Sequence, residues 1–467
     1  MLRIFRHYLS ASALCLFLCE SSVVFVVFYA AANLLAPPST ASSLAIQRHL
    51  VAVLLPGIVN PVLMYSLGLY DRWLMEDLRR ALPRIAACFA LSAPVVVTSL
   101  AVNLGTSPNG AWELLLFFLS CPAAAFLGVL AARVSYVAIT RTTVAPHRVL
   151  VVGTGRLAAE LECLMPQSRH TDSVIVGYVP LLAEMASVPE ARTIPLGASL
   201  LQTARDNRVG EIVVALDDRR GVPLQPLLDA RMEGITITSY LSFWEREARR
   251  VNLQALDPSW LIYSDGFRLR AVTNVVLKRV LDICASLALL VLTLPTLVLA
   301  AIAVRLDSPG PIFYKQQRVG RHGSEFMIYK FRTMRVDAEK SGVPQWAAAR
   351  DPRITRVGSF LRMTRIDELP QIMNVLRGDM SFVGPRPERP FFVQSLSAEI
   401  PFYSERHRVR PGITGWAQIN YPYGASIEDA KAKLSYDLYY IKNYSFMFDL
   451  LIILSTAHAV FFKKGAR

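Results

Sequence analysis

The chain has 467 residues, of which 53% are hydrophobic, and its mean hydropathy is +0.35. This length allows about three domains, and this composition is too apolar for an ordinary soluble protein. The net charge is +14, but the basic residues lie near apolar segments rather than in one patch with stacking aromatics, so we expect no nucleic-acid partner. The six cysteines show neither zinc spacing nor a disulfide framework.

Four apolar stretches predict a four-helix transmembrane region over residues 1–140. They cover 9–35, 50–69, 85–104 and 112–132, and each approaches the roughly 20 residues that a spanning helix needs. The second contains Pro56 and Pro61, so a kinked or buried segment is its alternative. The positive-inside rule places both ends of the bundle in the cytoplasm. The basic residues that set this orientation are Arg3, Arg6, Arg72, Arg79, Arg80, Arg84, Arg133, Arg141 and Arg148.

Residues 147–267 show short apolar runs that alternate with polar helical segments, at 149–152, 174–179, 212–216 and 235–238. This pattern predicts a Rossmann-like α/β domain with a largely parallel sheet. The first turn, residues 153–158, resembles a dinucleotide fingerprint, but the second strand ends at 178–180 with no acidic residue to hold a ribose. Nucleotide binding therefore stays open. The alternative is that Gly153 and Gly155 only let the helix pack close to the strand.

Residues 283–304 are uncharged and long enough to cross a bilayer. Basic residues flank them on both sides, with Lys278 and Arg279 before them and Arg305 after them, and Pro295 interrupts the middle. We therefore predict a re-entrant helix at about 279–306 that bends and returns to the cytoplasmic face. Asp282 lies one turn after Lys278, and we expect it to pair with Lys278 or Arg279 and to position the hairpin. The apolar C-terminal stretch 446–462 predicts an interfacial helix, with a buried domain helix as the alternative.

Two adjacent carboxylates, Asp367 and Glu368, precede apolar residues at helical spacing. Pro370 suits the first turn of a helix because it has no N–H to lose there. Free amides and the helix dipole favour an anion at such a place, either the carboxylates themselves or a bound diphosphate. Simple helix capping is the alternative. The cations that can clamp phosphate oxygens nearby are Arg362, Arg365 and Arg386.

Further motifs follow one another in order from residue 278 to the C-terminus. They are Lys278-Arg-Val-Leu-Asp282, Ser308-Pro-Gly-Pro-Ile-Phe-Tyr314, Gln317-Arg-Val-Gly320, Lys330-Phe-Arg-Thr-Met334, the carboxylate pair, Gly384-Pro-Arg-Pro387, Arg410-Pro-Gly-Ile-Thr-Gly-Trp-Ala-Gln-Ile-Asn420 and Tyr436-Asp-Leu-Tyr-Tyr-Ile-Lys-Asn443. With these motifs the chain resembles the bacterial polyprenyl-phosphate phosphoglycosyl transferases, and its length resembles the large monotopic type that initiates exopolysaccharide or O-antigen synthesis.

The resemblance implies a transferase domain at 275–467 and a reaction between two partners, a UDP-sugar and polyprenyl (undecaprenyl) phosphate, which releases UMP. It implies that Asp367 attacks the phosphate bearing the sugar and forms a covalent intermediate. It also implies Mg²⁺ as cofactor, with oxygen ligands from Asp367 and Glu368, and a role for Glu368 in metal binding or as a general base. The matched phosphate clamps are Arg362 and Arg386, with Arg365 beside them. Lys330 and Arg332 are either further phosphate contacts or a solvated basic strand.

The same resemblance implies a bacterial inner membrane protein whose catalytic domain lies on the cytoplasmic face of the lipid bilayer. It also implies a homodimer, which the spacing itself does not indicate. The sugar is not determined. Two other functions are the alternatives. A membrane-bound sugar-nucleotide dehydratase or oxidoreductase would need a Tyr-x-x-x-Lys motif, which is absent from the sequence. A catalytically inactive membrane scaffold is disfavoured because both carboxylates and the matched arginines are present.

Overall fold

The structure is a computed structural model, and it describes residues 2–4, 7–9, 11–35, 43–70, 72–75, 77–104, 110–143, 146–165, 173–181, 187–195, 199–218, 222–267, 269, 272–336, 353–422, 424 and 426–461. The chain forms two compact units, and the boundary between them falls between Phe243 and Trp244.

The first unit begins with a two-stranded sheet and continues with long apolar helices. These elements are β1 (Leu2–Ile4), β2 (His7–Leu9), α1 (Ala11–Leu35), α2 (Ser43–Ser66), α3 (Arg72–Met75), α4 (Leu78–Leu104) and α5 (Gly110–Thr143). Among the described residues of the whole chain, four helices are long and apolar enough to cross a membrane, with candidate spans at Ser12–Asn33, Leu78–Thr98, Ser120–Thr140 and Val275–Asp307. The predicted span at 50–69 is not one of them, because the apolar part of α2, Leu50–Ser66, is shorter.

A buried ion pair joins two of these helices. Arg133 in α5 donates from Nε to Oε1 of Glu20 in α1 at 2.7 Å and from Nη2 to Oε2 at 3.3 Å, and both side chains are 0% exposed. The prediction that Arg133 flanks the fourth span is wrong, because helix α5 extends past residue 132 and the candidate span Ser120–Thr140 contains it. Charges inside apolar bundles are costly unless they are paired, and Glu20 supplies the partner.

The rest of the first unit contains the predicted parallel sheet. Its strands are β3 (His147–Val152), β4 (Ser173–Val179), β5 (Glu211–Val214) and β6 (Thr236–Ser239), and they pair in parallel in the order β4-β3-β5-β6. Strand β3 is central and its apolar residues are buried, which explains its unbroken run of valine and leucine. The helices of this part are α6 (Arg156–Leu164), α7 (Leu200–Asp206), α8 (Leu224–Met232) and α9 (Tyr240–Ala248), and α9 continues into the second unit.

The turn that resembles a dinucleotide fingerprint is closed by the chain itself. Asp217 accepts hydrogen bonds from the backbone N–H of Arg156 at 2.8 Å and of Leu157 at 3.3 Å, at the helix N-terminus where a bound phosphate would lie. Gly153 has φ +121°, and a Cβ there would lie 2.3 Å from the carbonyl oxygen of Ala215. This glycine is therefore needed for close packing of the chain on itself.

We expect that this turn binds no nucleotide phosphate, because the Asp217 carboxylate already takes the two amides and would repel a second anion. The measurement is a fluorescence titration of the full chain in detergent with NADH, and no saturable binding is the expected result. Saturable binding that the Asp217→Glu variant weakens would contradict the prediction, since it would place the ligand at this turn.

The second unit is an irregular α/β assembly around one long apolar helix. Its helices are α10 (Pro258–Tyr263), α11 (Val272–Asp307), α12 (Arg356–Met363), α13 (Ile372–Arg377), α14 (Pro390–Glu399), α15 (Trp416–Asn420), α16 (Ile427–Lys442) and α17 (Phe446–Phe461). Its strands form an antiparallel pair, β7 (Phe313–Val319) with β8 (Glu325–Phe331), and a parallel pair, β9 (Ser381–Val383) with β10 (Gly412–Thr414).

Helix α11 contains the predicted re-entrant segment. It is helical throughout, with Pro295 inside it. Pro295 has no N–H, so the Val291 carbonyl lacks its usual helical hydrogen bond. The nearby Thr293 hydroxyl does not replace this bond, because it donates to Leu289 O at 2.6 Å. The C-terminal part of α11 packs through Ala300 and Val304 against Phe331 and Leu361 of the second unit. Large apolar side chains in the remainder are exposed, among them Val291, Leu292, Leu299 and Leu306.

Candidate active site

The two adjacent carboxylates lie in a 3-10 helix, Ile366–Gln371, that runs directly into α13. The sequence predicted the start of an α-helix, and the structure instead puts one tight turn before it. Arg365 enters this turn in the left-handed region, with φ 60° and ψ 13°. The turn follows α12 closely and packs against β8, so cations from both elements reach the carboxylates.

Glu368 is surrounded by cations. Its carboxylate accepts hydrogen bonds from Lys330 Nζ at 2.9 Å and from Arg386 Nη2 at 2.6 Å, and Arg365 Nη1 lies 3.9 Å from Oε2. Burial by itself would raise the pKa of Glu368, but Arg386 and Lys330 hold it well below its usual range. Glu368 is therefore a fixed anion that orients three basic side chains.

Asp367 is in the opposite situation. Its side chain is buried, and within the described part of the chain the structure records no hydrogen bond or ion pair to its carboxylate. Burial and the neighbouring Glu368 charge raise the pKa of Asp367 to about 6, while Lys330 and Arg362 act in the other direction. The two carboxylates thus differ in kind: one is neutralised by cations, and the other is available to a reacting group.

The other predicted phosphate-binding residues do not all point to this place. Arg362 Nε donates to the Thr333 hydroxyl at 2.9 Å, and the charge of Arg362 acts on Asp367. Arg332 is buried elsewhere: its guanidinium donates to Ser308 O at 2.6 Å and to Pro309 O at 3.1 Å. The structure therefore brings Lys330, Arg362, Arg365 and Arg386 to the carboxylates and places Arg332 at the C-terminal end of α11.

Three glycines, Gly384, Gly412 and Gly415, allow the Gly-Pro-Arg-Pro and Arg410–Asn420 motifs to pack closely against each other. A Cβ on Gly412 would lie 2.1 Å from Gly384 N, and a Cβ on Gly415 would lie 2.2 Å from Gly384 O. The backbones are this close because β9 and β10 pair in parallel, with Thr414 opposite Val383. The neighbour that the Arg410–Asn420 loop approaches so closely is the segment that carries Arg386.

Three charged residues near the start of α11, Lys278, Arg279 and Asp282, make long-range contacts. Lys278 Nζ donates to Asp449 Oδ2 at 2.6 Å and to Val383 O at 3.0 Å. Asp282 Oδ1 accepts from the Ser381 hydroxyl and the Phe382 N–H, both at 2.8 Å. The expected pairing of Asp282 with Lys278 or Arg279 is wrong, because Lys278 and Asp282 both bond to residues that are distant in sequence.

Arg279, the third of these residues, donates to the carbonyls of Val375 at 2.7 Å and Leu376 at 2.8 Å. These carbonyls lie in the last turn of α13, where a cation is favourable. The N-terminal end of α11 is therefore fixed to α13, which directly follows the carboxylate turn, to β9, which directly precedes the Arg386 segment, and to α17.

The Tyr436–Asn443 motif supplies buried partners on several faces of α16. Asp437 Oδ2 accepts from Arg406 Nη2 at 2.9 Å, and burial raises the pKa of Asp437 to about 6 in spite of that arginine. The Tyr440 hydroxyl donates to Asp449 Oδ1 at 2.8 Å. Lys442 and Asn443 both donate to Glu245 in α9. These bonds lie within the second unit and join the C-terminal part of α9 to the end of α16.

Sequence reasoning missed Asp449 and Arg406. Asp449 interrupts the apolar stretch 446–462, a lone carboxylate in such a stretch signals a buried partner, and the structure shows that partner to be Lys278. No comparable signal marks Arg406, which lies among other basic residues at 406–410. One face of α17, including Phe448, Asp449 and Ile452, is buried in the second unit.

The site has a limited capacity for a metal ion. Across the described residues, no group of three or more His, Cys, Asp or Glu side chains could hold one. Mg²⁺ is commonly held by one or two carboxylates together with substrate phosphates and water. Asp367 fits this pattern because its carboxylate is not engaged, whereas the oxygens of Glu368 already contact cations.

Comparison with known proteins agrees with this arrangement. The family described as bacterial sugar transferase matches residues 273–463. An exopolysaccharide production protein, PSS, of Rhizobium leguminosarum bv. phaseoli is 44% identical over 192 residues, which cover 39% of this chain and 94% of that protein. The chain belongs to the bacterial sugar transferase family.

Longer members of the family are also similar. The UDP-N-acetylgalactosamine-undecaprenyl-phosphate N-acetylgalactosaminephosphotransferase of Aeromonas hydrophila is 47% identical over 191 residues, which cover 41% of this chain and 45% of that protein. The UDP-glucose:undecaprenyl-phosphate glucose-1-phosphate transferase of Escherichia coli (strain K12) is 44% identical over 195 residues, or 41% of this chain and 42% of that protein. In both alignments this chain spans less than half of the relative's length.

Proposed function

We propose that this protein transfers a sugar 1-phosphate from a UDP-sugar to undecaprenyl phosphate, as the first step of exopolysaccharide or related glycan synthesis. The observation that carries the proposal is the contrast between the two carboxylates: Asp367 is buried without a partner among the described residues, beside a Glu368 that holds Lys330 and Arg386. The substrates named in the Aeromonas and Escherichia relatives support the same reaction.

The reaction proceeds in two displacements. A carboxylate oxygen of Asp367 attacks the phosphorus that bears the sugar, the bond from this phosphorus to the bridging oxygen of UMP breaks, and UMP leaves with that oxygen. An oxygen of the lipid phosphate then attacks the same phosphorus, and the Asp367 carboxylate is released as the lipid diphosphate sugar forms. Splitting the transfer in this way lets one carboxylate serve two phosphate substrates in turn.

The basic residues offset the negative charge of the diphosphate. Glu368 holds Lys330, Arg365 and Arg386 in one cluster. The charge of Arg362 acts on Asp367 as well. A preorganised cluster of this kind stabilises charge that develops on phosphate oxygens in the transition state. Mg²⁺ would add charge neutralisation at the diphosphate, and Asp367 is the carboxylate free to hold it, with Glu368 as the neighbouring acidic residue.

Helix α11 would bring this site to the lipid substrate from the cytoplasmic face of the inner membrane. A helix that crossed the bilayer would place its ends about 30 Å apart on opposite faces. Both end regions of α11 contact the same unit, through Lys278 and Asp282 at one end and Val304 at the other. Together with the exposed apolar residues between them, these contacts support a re-entrant helix that dips into the bilayer and returns.

The test is UMP release by membranes that contain the full chain, supplied with undecaprenyl phosphate, Mg²⁺ and a panel of UDP-sugars. The relatives' names carry two sugars, N-acetylgalactosamine and glucose, so the panel includes both. We expect lipid-dependent UMP release with one of them. Absence of release with every sugar of the panel, from membranes in which the folded protein is present, would count against the proposal.

The pH dependence of the reaction follows from Asp367. A nucleophilic carboxylate must be ionised, and its pKa is raised to about 6, so we expect activity to fall as the pH drops through about 6 and to be retained above it. Glu368 is one of the causes of the raised pKa, so Glu368→Gln should move this acid limb to lower pH while it reduces the rate. The measurement is the initial rate of UMP release between pH 4.5 and 8. An acid limb that Glu368→Gln leaves in place would assign it to another group.

A further inference from the structure

Three consecutive backbone carbonyls of the segment that carries Arg386 accept hydrogen bonds from other parts of the chain. Pro385 and Pro387 have no N–H to donate, so a neighbouring strand cannot fix them in the usual way. Pro385 O accepts from Gly412 N at 2.9 Å, and Pro387 O accepts from Arg318 Nη1 at 2.9 Å. The carbonyl between them, that of Arg386, accepts from Arg406 Nη2 at 3.0 Å. The hydrogen bond to the Arg386 backbone thus comes from a side chain, that of Arg406, and Arg386 is the residue whose guanidinium contacts Glu368.

Arg406 is built for a fixed orientation. It lies in the 3-10 helix Tyr403–Arg408 and is only 6% exposed. Nη1 donates to the Tyr403 hydroxyl at 2.6 Å, and Nη2 donates to Asp437 Oδ2 at 2.9 Å as well as to the Arg386 carbonyl. A buried guanidinium needs this degree of pairing. The Asp437 carboxylate in α16 therefore fixes the nitrogen that bonds the Arg386 backbone.

We propose that Arg406, oriented by Asp437, is a positioning residue of the transferase reaction, which holds the Arg386 backbone so that the Arg386 guanidinium stays at Glu368 and the substrate phosphate. This inference rests on the proposed function. Neither Arg406 nor Asp437 contacts the carboxylate pair directly. Their effect passes through Arg386, whose guanidinium lies 2.6 Å from Glu368 Oε1. Because Arg386 precedes Pro387, its backbone is already restricted, and the Arg406 bond selects one placement within that range.

The experiment is a double-mutant cycle in the full chain with UMP release as the readout. Arg406→Ala is expected to lower kcat about 10- to 100-fold with a smaller change in KM, because a clamp displaced by about 1 Å acts mainly on the transition state. If Arg406 acts through Arg386, the Arg386→Ala/Arg406→Ala double variant should be no slower than Arg386→Ala alone. Independent effects, in which the two losses multiply, would overturn the inference.

A matched control lies on the same 3-10 helix. Arg408 pairs with Glu405 at the surface, so Arg408→Ala removes an arginine without touching the Arg386 segment and should leave kcat within about twofold. If Arg406→Ala fails to fold, Arg406→Lys and Asp437→Asn replace it in the cycle. Unchanged kcat in both of these folded variants would also overturn the inference. Absence of UMP release in the wild type would instead contradict the proposed function itself, so the two failures are distinguishable.

Discussion

Replacing Asp367 with asparagine is expected to lower UMP release by at least about 1,000-fold, because the amide cannot act as the nucleophile in the first displacement. The side chain keeps nearly the same size, and the structure records no bond of Asp367 that asparagine would break among the described residues, so the fold should be retained. The measurement is the rate of UMP release at saturating UDP-sugar, with the thermal midpoint of the purified protein as a check on folding.

The same variant tests the covalent step. With UDP-sugar labelled in the sugar and no lipid acceptor, the wild type should retain label on the protein after denaturation and release it with hydroxylamine, as an acyl phosphate does. Asp367→Asn should retain none. Asp307→Asn, at the end of α11, is the matched control and should label normally. Labelling of Asp367→Asn at the wild-type level would place the nucleophile elsewhere.

Replacing Lys278 with methionine is expected to destabilise the second unit by about 3–5 kcal/mol, because the buried Asp449 carboxylate would lose its cation. Lys278 also donates to Val383 O in β9, three residues before Arg386, so the loss should reduce activity as well. The measurement is the thermal unfolding midpoint in detergent together with UMP release.

Two variants make this result specific. Lys431→Met removes a lysine from the exposed face of α16 and should change the midpoint little. In Lys278→Met/Asp449→Leu the uncompensated charge is gone, and the Tyr440 hydroxyl, released from Asp449, can donate to Val383 O, which lies 3.2 Å away, so most of the lost stability should return. A double variant as unstable as the single one would show that the ion pair itself, and not the stranded carboxylate, supplies the stability.

The sequence predicted several features that the structure has. Three of the four apolar stretches before residue 140 form helices that are long and apolar enough to cross a membrane, because a run of about 20 apolar residues has few other stable environments. Four apolar β-type runs gave a parallel sheet, since each run is long enough for a buried strand and too short for a helix. The carboxylate pair could be recognised because Arg362, Arg365, Asp367 and Glu368 are close in sequence. One local turn after α12 is enough to bring them together.

Other features depended on contacts between distant residues. Lys278 finds Asp449 and Arg133 finds Glu20 across 171 and 113 positions of sequence, and no local pattern encodes either pair. The closure of the dinucleotide-like turn by Asp217 likewise comes from a strand end 60 residues away. Lys330 and Arg332 lie two residues apart but bind different partners, because β8 ends at Phe331. Lys330, inside the strand, contacts Glu368, whereas Arg332, after the strand, bonds to Ser308 at the end of α11.

By itself, the sequence determined that the chain has apolar helices, a parallel sheet and a basic site built around two adjacent carboxylates, because these properties depend on residue type and short-range spacing. Only the tertiary structure decided which carboxylate is neutralised and which is available, since that depends on the cations that β8 and the Gly-Pro-Arg-Pro segment bring to Glu368. Burial and charge, and not the identity of the two side chains, separate Asp367 from Glu368.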